Sequence, residues 1–458
     1  MCGIFGISGH ADAAAMTHLG LYSLQHRGQE SAGIVATNLQ GEIHGIRAMG
    51  LVSDQFSAEK MKELSGPVAL GHTRYSTAGS STIENAQPAM VRFKGGHIVL
   101  AHNGNLTNAP EIRHELEDEG SIFSSTMDSE VIVHRLAKSK AARPEEKLAE
   151  ALEGVEGAYS LLVMIANTLV AARDPYGWRP LVMGKIGDAI VFASETCALD
   201  ICGATVVREI QPGEIIAVET DGTTRTLQRP PASNLHRCVF EYVYFARPDS
   251  KVFGGSVDRA RRALGRQLAK EHPAPGADFV FSVPDSSNSA ALGYSEVSKL
   301  PLELALIRNH YVGRTFIQPT QSGRDAKVKV KYNAVRDVLE GKSVVMVDDS
   351  IVRGTTTKGL VSLIRAAGAR EVHMRVSSPP ITGPCYYGID TPDKAQLIAA
   401  NQSVEQIART IGVDTLGYIS LEGMLQAVPN GPDGFCHACF SGQYPTKPPS
   451  VPEKLRLG

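Results

Sequence analysis

The stretch Lys342-Ser343-Val344-Val345-Met346-Val347-Asp348-Asp349-Ser350-Ile351-Val352-Arg353-Gly354-Thr355-Thr356 narrows most what this chain of 458 residues can fold into. Four consecutive apolar residues, mostly β-branched, read as a strand buried on both faces, as in a parallel sheet. Two carboxylates stand at its carboxyl end, where open α/β sheets bind ligands. A short loop through Gly354 follows. Leu360, Leu363, Ile364 and Ala367 then recur at helical spacing, and Gly368 is placed to end the helix. Backbone N–H groups and the hydroxyls of Thr355 to Thr357 at that helix start form a phosphate cradle. The lysine of a Walker A loop is missing, which disfavours an ATP-type P-loop. Adjacent acids suit ribose hydroxyls and a Mg²⁺ ion. The competing reading is an ordinary strand–turn–helix with two exposed acids. Val280-Phe281-Ser282-Val283-Pro284-Asp285-Ser286-Ser287 is a second strand running into a polar turn, and on its own it is equally a plain turn and N-cap.

The first half carries different chemistry. Cys2 lies in Met1-Cys2-Gly3-Ile4-Phe5-Gly6-Ile7. Once Met1 is removed, Cys2 holds both a thiol, of pKa near ~8.5, and an α-amine near ~7.7–8.0. Nucleophile and base then share one residue. The alternative is a buried cysteine in an apolar N-terminal strand. Arg74, in Gly71-His72-Thr73-Arg74-Tyr75-Ser76-Thr77, can hold a carboxylate with two parallel hydrogen bonds. Ile98 to Asn105 runs from a strand into a turn at Asn103-Gly104. An Asn amide beside a Gly N–H makes an oxyanion hole, although Asn-Gly alone is more often a hairpin turn. Asp128 either pairs with a substrate ammonium or caps a helix.

Taken together, the Met1 to Ile7 segment, Gln25-His26-Arg27-Gly28-Gln29-Glu30-Ser31-Ala32-Gly33, Gly71 to Thr77, Asn103-Gly104 and Asp128 resemble the class II glutamine amidotransferase family, in the family's order. The resemblance implies Cys2 as nucleophile and base, Asn103 and Gly104 as the oxyanion hole, and Arg74 and Asp128 on the glutamine head group. It also implies an αββα sandwich of the N-terminal-nucleophile type. The second half resembles type I phosphoribosyltransferases, which bind phosphoribosyl pyrophosphate (PRPP). That resemblance implies ribose and Mg²⁺ contacts at Asp348 and Asp349. It places Ser350, Ile351, Val352, Arg353, Gly354 and Thr355 on the 5′-phosphate, Asp285 and Ser286 toward the pyrophosphate, and Ser286 near the metal. The basic run from Arg308 through Pro319 to Arg324, Lys327, Lys329 and Lys331 then becomes a lid over a polyanion.

Both halves in one chain resemble a family that passes glutamine nitrogen to PRPP, giving 5-phosphoribosylamine, pyrophosphate and glutamate in purine synthesis. Glu241 to Ser250 is characteristic of that family. Such a reaction needs a dry passage for ammonia, and Tyr244 and Phe245 are candidates to line it, or else core packing. The resemblance further implies a homotetramer and feedback by purine nucleotides. A non-catalytic PRPP or nucleotide sensor is the alternative, because fold alone does not fix function. Asp285-Ser286, the basic lid and Cys2 together argue against it. Glucosamine-6-phosphate synthase and asparagine synthetase share the first domain but lack the two-acid strand.

There are seven cysteines: Cys2, Cys197, Cys202, Cys238, Cys385, Cys436 and Cys439. An odd count without a signal peptide argues against a disulfide framework. Cys436-His437-Ala438-Cys439 is one knuckle, and a zinc ribbon wants two. Four thiolates from three segments suit a cubane iron–sulfur cluster. The iron–sulfur branch of the family has ligands matching Cys238, Cys385, Cys436 and Cys439, so a 4Fe-4S cluster is expected as a structural clip. Cys197 and Cys202 remain as buried apolar residues.

Net charge is −2, which points to no nucleic acid or membrane partner. The longest apolar run, Tyr159 to Ala172, is too short to span a bilayer, and a cytoplasmic enzyme is expected. A polar, proline-rich stretch near Leu227 to His236 divides the chain. This gives an α+β glutaminase domain over 2–230, an α/β phosphoribosyltransferase domain over 237–440, and a mobile tail over 443–458. Strands are predicted at Glu42 to Arg47, Ala158 to Ile165, Ala189 to Ala193 and Glu214 to Glu219. Helices are predicted at Asp128 to Leu136 and Lys147 to Leu152.

Overall fold

The computed structural model describes residues 1–38, 40–75, 80–310, 330–391 and 393–449. Most of the predicted lid, together with Ser76, Thr77 and the end of the tail, lies outside the described residues.

The N-terminal half is built from two stacked antiparallel sheets. The first has seven strands, in the order Thr205–Glu209, Val182–Ile186, Ala189–Ala193, Gly3–Ser8, Val68–Arg74, Ser31–Thr37 and Ile43–Met49. The second has six, in the order Thr224–Gln228, Glu214–Val218, Thr168–Arg173, Gly157–Ile165, Gly96–Leu106 and Ala89–Phe93. Ile4, Val35 and Phe192 from one sheet meet Val99, Leu162 and Ile216 from the other in a common core. The helix Ala13–Ser23 covers the outer face of the first sheet. Ala109–Asp118, Glu130–Lys138 and Pro144–Ala151 cover the second. Each sheet has helix on one face and sheet on the other, so its strands are apolar on both sides. Gly157–Ile165 is accordingly buried at all nine positions. This is the αββα arrangement.

The second half contains a four-stranded parallel sheet, in the order Phe279–Ser282, Ser343–Asp348, Glu371–Val376 and Thr415–Tyr418. Alternate residues of the central strand enter different cores. Val345 and Val347 pack with the helices Val257–Glu271 and Asn288–Ser298. Val344 and Met346 pack with Thr355–Ala366 and Val404–Ile411. Cover on both faces explains the unbroken apolar run ahead of Asp348.

The Asn103-Gly104 turn is corrected. Gly96–Leu106 is one continuous strand, with Asn103 opposite Ser160 and Gly104 opposite Tyr159. Pairing with the long strand Gly157–Ile165 overrides the local turn preference. The start of the tail is docked, since the Tyr444 hydroxyl donates to the Pro384 carbonyl at 2.7 Å. No described helix is long and apolar enough to cross a membrane.

Candidate active sites

Cys2 stands just ahead of the central strand Gly3–Ser8 and is buried. Its backbone N–H donates to Asn103 Oδ1 at 3.2 Å, so a side chain of one sheet reaches the cysteine of the other. The same amide leaves its Nδ2 fully buried without a partner among the described residues. A buried unsatisfied donor costs about 1–3 kcal/mol, so a ligand oxygen there is strongly favoured. Gly104 supplies the next donor. Alternate N–H groups of a strand point to one edge. The N–H groups of His102 and Leu106 are taken at that edge by Gln87 Oε1 at 2.7 Å and Asp128 Oδ2 at 2.8 Å. Gly104 lies between them and faces the same way.

Asp128 also accepts from the Ser129 N–H at 2.8 Å and lies 3.6 Å from His102 Nδ1. Burial alone would raise its carboxyl. The His102 charge and these N–H bonds outweigh burial and hold it below its ordinary value. Arg74 ends the strand Val68–Arg74, pairs with Glu30, and donates to the Ser80 carbonyl at 3.1 Å. Arg27 has no assigned role in the sequence reading, although it sits inside a quoted motif. Its Nε donates to the Cys2 carbonyl at 2.9 Å. Its other nitrogens reach Glu195 at 2.5 Å and Glu241 at 2.8 Å. The only signal in the sequence was an arginine inside that short motif. Its partners are too distant along the chain to be read.

The second site lies at the carboxyl end of the parallel sheet. Asp348 and Asp349 are buried. Burial raises both carboxyls, and at Asp348 repulsion by Asp349 adds to it. Ser287 donates to Asp348 at 3.2 Å, and Ser286 and Ser350 both bond Asp349. Two adjacent buried carboxylates are a donor set suited to a hard divalent cation. Among the described residues, no three His, Cys, Asp or Glu side chains are placed to hold a metal ion by themselves. Asp285 pairs with Arg308 at 2.7 Å. Ile351 is 1% exposed, so it offers only backbone. The Val352 carbonyl accepts from the Ile398 N–H at 3.0 Å, and Arg353 Nε donates to Gln396 at 3.0 Å. Gly354 has φ +75° and leads directly into the helix Thr355–Ala366, whose first N–H groups face the loop. The sequence marks Arg308 only as the start of the basic lid and Ser287 only as part of a polar turn, and it does not single out Arg261, whose charge acts on Asp349. Serines and arginines are too common to be marked without their neighbours.

Tyr244 lies within electrostatic reach of Asp348 and Asp349 and of Tyr75. It is 47% exposed, yet its phenol is pushed up to about 12 by loss of water around it, then by Asp349, Tyr75 and Asp348. Those groups come from both sites.

The four predicted ligand cysteines line a common cavity, although no three of them are placed to hold a single metal ion as they stand. Cys238, Cys385, Cys436 and Cys439 line one small cavity with Trp178 and Tyr387. Cys238 and Cys436 are directly opposite in a two-stranded parallel pair. Burial first, then the neighbouring sulfurs, pushes Cys436 up to about 12. Cys197 and Cys202 are buried elsewhere, in the core under the first sheet.

Residues 72–200 match the glutamine amidotransferase domain family. The chain is 48% identical to the amidophosphoribosyltransferase of Bacillus subtilis, over 97% of this chain and 94% of that one. It is 48% identical to that of Methanothermobacter thermautotrophicus, over 98% and 95%. A solved structure of the allosteric regulatory enzyme of purine biosynthesis superposes with a TM-score of 0.94 at 46% identity, covering 100% of this chain and 99% of that one. The Bacillus subtilis glutamine PRPP amidotransferase complexed with ADP and GMP gives 0.93 at 46% identity, covering 99% and 100%. This chain belongs to the amidophosphoribosyltransferase family, enzymes of glutamine-dependent PRPP amination in purine biosynthesis.

Proposed function

We propose that residues 2–230 act as the glutaminase and residues 237–440 as the phosphoribosyltransferase, with the following division of labour. With Met1 removed, the Cys2 amine takes the thiol proton and the sulfur attacks the glutamine amide carbon. The oxyanion that forms is met by Asn103 Nδ2 and the Gly104 N–H. The Cys2 ammonium returns its proton to the substrate nitrogen as the intermediate collapses, so ammonia leaves, and water then releases glutamate from the thioester. Arg74 grips the substrate carboxylate, and Asp128, kept ionised, grips its ammonium. Ammonia crosses past Tyr244 and Phe245 and attacks C1 of PRPP, and pyrophosphate leaves.

In the second half, Ser350 to Thr355 hold the 5′-phosphate at a helix N-terminus. Asp348 and Asp349 hold the ribose hydroxyls, and Asp285 and Ser286 face the pyrophosphate. Asp348, Asp349 and Ser286 would hold a Mg²⁺ ion, which when bound offsets the negative charge of the departing pyrophosphate. Cys238, Cys385, Cys436 and Cys439 would hold a 4Fe-4S cluster, and their convergence on one cavity supports that reading. Such a cluster ties the C-terminal segment to the core. Seven unpaired cysteines suit a reducing compartment such as the cytoplasm. A homotetramer inhibited by purine nucleotides completes the proposal, and the nucleotide-bound Bacillus subtilis relative supports the regulatory part.

One observation carries the glutaminase reading. The Asn103 amide binds the Cys2 nitrogen with its oxygen and keeps its own donor buried and unspent. The test is pyrophosphate release from PRPP with glutamine or with ammonia as nitrogen source. Cys2→Ala is expected to lose the first and keep the second. Glutamine use surviving that substitution would overturn the assignment.

A further inference from the structure

The oxyanion strand is backed by a loop from the other half of the chain. The Asn105 side chain donates to the Tyr386 carbonyl at 3.2 Å, across 281 residues of sequence. The neighbouring Tyr387 carbonyl accepts from Arg179 Nε at 3.0 Å and from a second nitrogen of the same guanidinium. The Tyr387 ring stacks on Trp178, with centroids 4.5 Å apart. Arg179 is itself fully buried, with Glu241 at 3.5 Å. Gly388 follows, with φ +104°. A Cβ there would sit 2.9 Å from the carbonyl carbon and oxygen of Gly104 and 3.1 Å from its Cα. The contact is backbone on backbone, so nothing flexible can yield.

The Gly104 edge of the strand needs such support. Ala89–Phe93 pairs with Gly96–Leu106 only through Leu100. Beyond that point the edge is carried by side chains from Gln87 and Asp128. An oxyanion donor works only if it is already aimed before the charge develops, and an error of about 1 Å can cost roughly 10²-fold.

We infer that the loop Tyr386–Gly388 is a buttress that fixes the Gly104 N–H, and that Gly388 and Asn105 are positioning residues for glutamine hydrolysis. The inference rests on the reading of Asn103 and Gly104 as oxyanion donors. It adds that part of the hole's rigidity comes from the phosphoribosyltransferase side. Glutamine hydrolysis is therefore weakened by changes that leave every glutaminase residue in place.

The full-length chain carrying Gly388→Ala tests this, with Asn105→Ala beside it. Glutamine-dependent kcat is expected to fall roughly tenfold or more in Gly388→Ala, by analogy with loss of an oxyanion donor. It should fall by a smaller factor in Asn105→Ala. KM for glutamine should stay within about twofold, because Arg74 and Asp128 are untouched, and ammonia-dependent pyrophosphate release should stay within the same range. Unchanged glutamine-dependent kcat would overturn the buttress. So would parallel loss of both activities in Asn105→Ala, which is the deciding variant if Gly388→Ala does not fold. Failure of the underlying reading looks different: the unsubstituted chain would then show no glutamine-dependent release, or Cys2→Ala would retain it.

Discussion

Asn103 performs two tasks with one amide group, and both depend on its orientation. Its oxygen fixes the Cys2 nitrogen, and its buried, unspent Nδ2 is the donor that the proposed mechanism gives to the substrate oxygen. Asn103→Ala removes both, so glutamine-dependent kcat should drop on the order of 10²–10³-fold while ammonia-dependent turnover persists. Steady-state assays with the two nitrogen sources decide it. His72 shows the opposite behaviour of a buried polar group. It is buried beside Arg74, and its Nε2 bonds the His102 carbonyl at 3.0 Å. Burial lowers its pKa from 6.5 to about 3, with the Arg74 charge adding to it. The unfolded chain therefore binds a proton that the folded chain refuses between those values. Stability must fall as pH drops through that window, by up to about 1.4 kcal/mol per pH unit from this group. His72→Gln removes the titration, so its melting temperature should fall less than the parent's between pH 7 and pH 5. Equal falls would show that His72 does not set the acid limit.

At the scale of elements, the proposed phosphate loop turns at a glycine for a geometric reason. Gly354 has φ +75°, and a Cβ on it would meet Ile398 Cδ1 at 2.7 Å. Gly354→Ala should cost about 1 kcal/mol in stability and raise KM for PRPP by a larger factor than it lowers kcat. Calorimetry and PRPP saturation curves check the two parts. This unit was legible in sequence because its signals are local. A strand of apolar residues, two acids, a glycine and a helix period occupy one continuous stretch, and the observed elements Ser343–Asp348 and Thr355–Ala366 follow it closely. Asn103-Gly104 misled for the same reason. Its turn preference is local, whereas the pairing with Ser160 and Tyr159 that straightens it is not. The cysteine quartet could be named through the family resemblance, but the docking of Gly388 on Gly104 could not be named at all. Nothing in a glycine's neighbours announces which distant backbone will lie against it.

Across the whole molecule, a buried ionic network joins the two halves behind Cys2. Arg27 bridges Glu195 and Glu241, and Arg179 joins Glu241 at 3.5 Å, with all four side chains shielded from water. The Glu195 carboxylate also accepts from the Arg247 N–H at 2.9 Å and the Ser250 hydroxyl at 2.7 Å. Burial would raise its pKa, but His26, Arg27 and these bonds hold it far below the carboxylate range. Its contribution is therefore kept at neutral pH and lost only on strong acidification. Charges so buried are costly unless paired, so removal of one partner harms more than the pair itself contributes. Glu241→Ala leaves Arg27 and Arg179 facing each other without their shared counter-charge. The expected loss is about 3–5 kcal/mol, read as a melting-temperature drop on the order of 10 °C. Because Glu241 lies between the sites, glutamine-dependent and ammonia-dependent activities should decline together on warming, unlike the split expected for Gly388→Ala. A variant that melts with the parent would mean that the two arginines are neutralised by other groups and that Glu241 is not needed to hold the halves together.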